Sequence, residues 1–362
     1  MKRKLLLAGL AALITVLLGL NGVTPGHAAS PGPIKLKYAN YFPVAHFFSV
    51  GASQFCDEVK KRTNGRVEIT YYPGGTLSSA PNVFNNVVNG LSDIGLSHIG
   101  YTRGRFPATE ILDLPLGYSS AFVESHVRDD FYHKFKLKEW DDVHVLYFFA
   151  PGPIIVATKT KPVRKLEDMK GLKFRGIGRP ADTLSALGAT PVALEMVDQY
   201  DALQRGLLDG TFETMETWKG FKLGEQIKYA TLCQRATGPT YTFYVVMNKD
   251  KWNALPDDAK KIFTQLSAEW ADKSALAAFQ ADIEGRDFFL QHGGQLIPLS
   301  DEEVKRWAKA VEPVIQNFIN SMEAKGYKRS DMEEQLKFIR ERMAYWEKQE
   351  KDRGLKSPYV VQ

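Results

Sequence analysis

Few side chains in this sequence are placed to do chemistry, and one arginine stands out by position. Leu172-Lys173-Phe174-Arg175 reads as a short β-run that delivers Arg175 to a strand end, followed by a glycine-bounded loop. Open α/β sheets bind ligands at the carboxyl ends of their strands. A planar, permanently charged guanidinium there suits a carboxylate, which it grips through two parallel hydrogen bonds. An arbitrary arginine is more often part of a surface ion pair, so its company decides. Near other strand ends stand Tyr41, Phe42 and His46, then His98 and Tyr101, then Glu213, Glu216 and Trp218, and finally Tyr241 and Phe243. One fixed cation among aromatic rings is the composition of a pocket for a small organic anion. Core burial competes with a cleft position for Phe42 and Phe243. Tyr101 and Trp218, flanked by polar and loop residues, are expected in the cleft.

Other chemistries lack their patterns. Gly176-Ile177-Gly178-Arg179 has no third glycine, and no P-loop occurs. There is no Gly-x-Ser-x-Gly elbow, and the seven histidines show no metal-ligand spacing. The sequence therefore predicts no metal, no cofactor and no nucleophilic triad.

The elements that position these residues are legible in outline. With 362 residues, 44% hydrophobic and 25% charged, the chain has the composition of a globular protein of two domains or one large one. Lys2-Arg3-Lys4, an apolar run over residues 5–20 and small residues at Gly26 and Ala28 read as a signal peptide over residues 1–29, cleaved near Ala28. The run is short for a membrane span of about 20 residues. Its removal takes the formal charge of +5, less three cations, to +2. A nearly neutral mature chain gives no reason to propose a nucleic-acid partner. A soluble periplasmic protein is expected, with Cys56 and Cys233 as separate buried thiols.

Residues 34–39, 49–62, 67–72, 82–89 and 93–97 alternate as β-α-β-α-β, the signature of a parallel sheet. A helix is expected over 121–134. An apolar strand over 143–149 is interrupted by Pro151-Gly152-Pro153 and resumes over 154–157, as where a chain passes between two domains. A strand over 240–248 is the second such crossing. Around Arg175 the pattern predicts a helix over 180–187, a strand over 191–194 and a helix over 197–208. A helix of more than 30 residues runs from about 255 to 289, longer than one small domain is wide. Helices over 301–325 and 330–347 precede a loose tail. The fold class is α/β with two lobes: residues 31–152 with 242–280 as lobe 1, 153–241 with 281–330 as lobe 2, and 331–362 as a C-terminal helix and tail.

The run Leu166-Glu167-Asp168-Met169-Lys170-Gly171-Leu172-Lys173-Phe174-Arg175, the turn Gly188-Ala189-Thr190-Pro191-Val192, Asp201-Ala202-Leu203-Gln204 and Gly206-Leu207-Leu208-Asp209-Gly210 carry a resemblance. Residues 40–46 and Met247-Asn248-Lys249 match more weakly. Together they resemble the substrate-binding proteins of TRAP transporters, the dicarboxylate-type periplasmic solute receptors, over nearly all of the mature chain. The resemblance implies a type II-like two-lobed binding protein with hinge strands and a bridging helix. It implies that Arg175 pairs with a ligand carboxylate and that the protein delivers its ligand to TRAP permease subunits driven by an ion gradient; a monomer without enzymatic activity is expected. Thr211-Phe212-Glu213-Thr214 departs from the Gln-Glu-Asn-Pro of many members, so Glu213 repels an anion, bonds a ligand hydroxyl or amine, or orients Arg175. No arginine lies between Arg128 and Arg164, where sialic-acid binders place a second guanidinium. A monocarboxylate, aromatic or hydroxylated, fits these departures better than a dicarboxylate. A module serving a membrane sensor and an exported enzyme acting on organic acids are the alternatives; the latter would need Glu213 or His98 as its base.

Overall fold

The structure, a computed structural model, describes residues 32–360; the proposed signal segment lies outside them. The chain forms, in order, β1 (Ile34–Asn40), α1 (Phe47–Arg62), β2 (Val67–Tyr72), α2 (Val83–Val88), β3 (Ile94–His98), α3 (Ala121–Phe135) and β4 (Val143–Phe149). There follow β5 (Ile155–Thr158), β6 (Lys173–Arg175), α4 (Gly178–Ala186), β7 (Thr190–Val192), α5 (Gln199–Gln204), β8 (Gly210–Glu213), α6 (Glu216–Gly220) and β9 (Tyr229–Leu232). The last elements are β10 (Phe243–Asn248), α7 (Lys249–Ala254), α8 (Asp257–Gln291), β11 (Gln295–Pro298), α9 (Asp301–Ala324) and α10 (Arg329–Asp352).

Two sheets result, with strand orders β2-β1-β3-β10-β4 and β11-β9-β5-β8-β6-β7. In the first, β1 pairs parallel with β2 and β3, while β10 runs antiparallel between β3 and β4. Every residue of β3 and β10 is buried, as central strands covered on both faces must be. α1 covers one face with Phe48, Ala52, Phe55, Cys56 and Val59 at helical spacing. Lys60, Lys61 and Arg62 in its last turn complement the negative end of its dipole. Cys56 and Cys233 are both buried and free.

The chain leaves the first sheet after β4, passes through Pro151-Gly152-Pro153, and enters the second at β5. It returns through residues 239–242 to β10. Helix α8, with 35 residues, is about 52 Å long at 1.5 Å per residue. It packs against α1, α3 and β4 at one end and α6 at the other. The close approach to α6 depends on Gly285, where a Cβ would stand 1.9 Å from the Met215 carbonyl oxygen.

Three expectations are corrected. The helix over 197–208 is a 3-10 turn at Met196–Asp198 and a short α5, because Gly206 takes a positive φ of 74°. The return strand begins at Phe243, not at 240; in the stretch ahead of it the Pro239 carbonyl accepts from the Ile154 amide, and Thr240 and Thr242 donate their hydroxyls to Glu124 and Asp113. The C-terminal tail is not loose as far as it is described: the Tyr359 ring is buried and its hydroxyl donates to Asp282 Oδ2 at 2.8 Å. The strand β8 has no counterpart in the sequence reading, although it lies between β5 and β6 in the second sheet.

Candidate functional site

Arg175 is the last residue of β6, and Glu213 is the last of β8, the neighbouring parallel strand. Both side chains therefore emerge at the carboxyl edge of the second sheet. Arg175 Nη1 donates to Glu213 Oε1 at 2.6 Å, Nε to the Leu194 carbonyl at 2.9 Å and Nη2 to the Tyr101 hydroxyl at 3.3 Å. The Tyr241 hydroxyl lies 3.5 Å from Nη1. Arg175 is 1% exposed. Burial works against its charge, but Glu213 outweighs that penalty and holds the guanidinium ionised. Burial pushes the Glu213 carboxyl above the usual range, and Arg175 opposes the rise.

The first sheet supplies the facing wall. His98 ends β3 and Phe243 starts β10, paired across the ladder. His98 packs on Tyr101, Tyr241 and Phe243 with ring centroids at 4.2, 4.7 and 4.9 Å. Its Nδ1 accepts from the Gly100 amide at 3.2 Å, which leaves the ring proton on Nε2. Burial and then the Arg175 charge hold its pKa well below the ordinary value, so the ring is neutral. Phe42 stacks on His46 at 4.4 Å and lies 5.8 Å from Phe243. His46 caps α1 by accepting from the Phe48 amide at Nδ1, and its Nε2 meets Glu216 Oε2 at 3.1 Å.

The two lobes are closed over this site. Besides His46–Glu216, the Tyr101 hydroxyl accepts from the Met196 amide at 3.1 Å. The cavity that remains is ≈ 20 Å³ for the centres of water molecules, room for about one or two of them. It is lined by Arg175, Glu213, Glu216, His98, Tyr41, Phe42, Tyr241 and Phe243, among others.

Of the residues expected at the site, Arg175, Glu213, Phe42, His98, Tyr241 and Phe243 line this cavity, while Tyr101 and His46 brace it from behind. Trp218 does not join them. Its ring is fully buried against Phe289 of α8 at 4.8 Å, because α6 turns that face toward the bridging helix. The sequence reading missed Met196, Thr214, Thr217 and Phe221, which line the cavity. Thr214 and Thr217 follow from Glu213 once β8 is recognised; Phe221 comes from the turn after α6 and carries no local signal.

Two sheets closed over a buried cation among aromatic rings define a two-lobed solute receptor. Residues 39–321 match the model of the bacterial extracellular solute-binding proteins, family 7. The chain is similar to the structure of a TRAP periplasmic solute-binding protein from Desulfovibrio salexigens, with 33% identity, TM-score 0.77, and 87% of this chain and 97% of that one covered. It is similar to a TRAP solute-binding protein from Rhodoferax ferrireducens in complex with copurified benzoate, with 27% identity, TM-score 0.80, and 87% and 99% covered. A TRAP solute-binding protein from a marine metagenome, specific for aromatic acid ligands and bound to metahydroxyphenylacetate, gives 26% identity and a TM-score of 0.81 over 86% and 99% of the two chains. This chain belongs to the family 7 extracellular solute-binding proteins, the substrate-binding subunits of TRAP transporters.

Proposed function

We propose that this protein is a periplasmic receptor that captures a small aromatic or hydroxylated monocarboxylate between its lobes and hands it, as a monomer, to the permease subunits of a TRAP transporter driven by an ion gradient. Arg175 would grip the carboxylate, His98 Nε2–H would donate to it, and Tyr41, Phe42, Tyr241 and Phe243 would enclose the body. The observation that carries this reading is the buried Arg175 guanidinium facing a cavity walled by aromatic rings. The related receptors bound to benzoate and metahydroxyphenylacetate support it. An aromatic ring does not fit the space of one or two waters, so entry requires the lobes to open, and reclosure removes the water that would screen the ion pair. In this reading residues 31–152 with 242–280 and 153–241 with 281–330 are the moving lobes, and the signal segment has been removed.

Calorimetry with benzoate, 3-hydroxybenzoate, mandelate and succinate tests the reading. An aromatic monocarboxylate should bind the wild type and fail to bind Arg175→Ala, while far-ultraviolet circular dichroism shows the variant folded. Undiminished affinity in a folded Arg175→Ala protein would remove the role assigned to Arg175. Selective binding of succinate would replace the monocarboxylate class with a dicarboxylate one.

A further inference from the structure

The cleft carries more negative charge than a carboxylate receptor needs. Glu213 and Glu216 are both buried in it, at 2% and 4% exposure, and they share the space with Arg175. The two histidines do not add cations. His98 accepts at Nδ1 from Gly100, and His46 accepts at Nδ1 from Phe48. Each ring therefore has one nitrogen committed as an acceptor and one proton on Nε2. The remaining groups facing Glu213 are the Tyr41, Tyr101 and Tyr241 phenols, all pushed above the ordinary range by burial and so neutral. With both glutamates ionised, the sealed cleft holds one cation and two anions.

The glutamates differ in their support. Glu216 accepts from His46 Nε2 at 3.1 Å and from the Thr214 hydroxyl at 3.3 Å. Among the described residues, the carboxylate of Glu213 has a single donor, Arg175 Nη1. A ligand carboxylate that takes the guanidinium takes the donor on which Glu213 depends. Two carboxylates sharing one guanidinium away from water raise each other's affinity for a proton.

We propose that each carboxylate ligand enters with one proton from solvent, and that Glu213 receives it. The inference rests on the carboxylate reading above. The ligand anion displaces Glu213 from Arg175; the Glu213 carboxylate gains a proton, and its new O–H donates to a ligand carboxylate oxygen. No bond to carbon forms or breaks, and the receptor closes with the charge it had before binding. Glu213 is then a specificity residue. It favours acids that arrive as single anions, since a dianion would need a second proton, and it disfavours sulfonates, which make poor acceptors for that O–H.

Calorimetry in buffers of different ionisation enthalpy counts the protons, using the tightest-binding acid of the panel as probe. Uptake of about one proton per ligand is expected at pH 8. Kd should then tighten about tenfold for each unit of pH lowered between 8 and 6, as linkage requires when one proton is taken up. Glu213→Gln should bind with no proton uptake and a pH-independent Kd. Binding by the wild type without proton uptake overturns the proposal and leaves the carboxylate reading standing. Uptake that persists in Glu213→Gln overturns the assignment to Glu213. Absence of binding by every acid overturns the carboxylate reading, and this inference with it.

Discussion

Arg179 of α4 and Glu110, on the segment between β3 and α3, meet across the two lobes at 2.6 Å. Glu110 Oε1 also accepts from the Gly104 amide at 2.7 Å, and the Arg179 guanidinium lies 4.9 Å over the Phe318 ring of α9. The pair is made where α4 rests against the first lobe, so in the proposed receptor its energy would favour the closed arrangement over an open one. A largely buried charged hydrogen bond of this kind is stronger than a surface pair.

Arg179→Met keeps the packing over Phe318 and removes the charge. Affinity for a bound acid should fall about tenfold, about 1.4 kcal/mol, with most of the change in the dissociation rate. Surface plasmon resonance on the tethered receptor measures it. An unchanged dissociation rate would show that closure does not draw on this pair.

Gly178 has φ +58°, and a Cβ there would stand 2.9 Å from the Gly100 Cα of the opposite lobe. Gly178→Ala should cost about 1 kcal/mol of stability from the left-handed backbone alone. The clash with Gly100 is relieved by opening, so affinity should fall further than stability does. Small-angle scattering at saturating ligand should report a larger radius of gyration than the wild type; an equal radius would mean that the lobes still meet.

Tyr359 fastens the end of the chain to the bridging helix and the lobe connection, with its hydroxyl 2.8 Å from Asp282 Oδ2 and 3.2 Å from the Pro153 carbonyl oxygen. Asp282 Oδ1 is occupied by the Glu216 amide at 2.9 Å. Tyr359→Phe strips a buried acceptor of its donor, which costs about 1–3 kcal/mol. The urea midpoint should fall accordingly; an unchanged midpoint would mean that the tail contributes ring packing alone.

Asp113 is buried, accepts from the Thr242 hydroxyl at 2.6 Å, and is pushed up to about 7 by burial, against the pull of Arg128. The folded protein therefore keeps a proton that the unfolded chain releases near pH 4. Its contribution is fully present below that pH and is lost as pH rises toward 7, by at most about 1.4 kcal/mol per unit. Asp113→Asn cannot lose the proton. Relative to the wild type, its stability in urea should rise steadily from pH 4 to 7. A pH-independent difference would show that Asp113 does not titrate differently in the folded and unfolded states.

What was legible in the sequence was local. The β-α-β-α-β start, the interruption at Pro151-Gly152-Pro153 and the long α8 follow from periodicity and backbone chemistry that each segment carries within itself. Arg175 could be picked out because a strand end fixes where a side chain emerges. Strand β8 could not, since four residues of Gly-Thr-Phe-Glu gain their strand identity only from β5 and β6 on either side. Trp218 shows the same limit: its flanking residues suggest a cleft, and the bridging helix, distant in sequence, makes it core.

The chain by itself determined the fold class, the type of cation offered and the aromatic company near the strand ends. Which groups meet was decided in three dimensions. Arg175 and Glu213 become partners because parallel strands bring their carboxyl ends to one edge, and burial removes the water that would otherwise separate their charges. Charge balance inside a sealed cleft depends on pairings across long stretches of chain, and no local pattern encodes it.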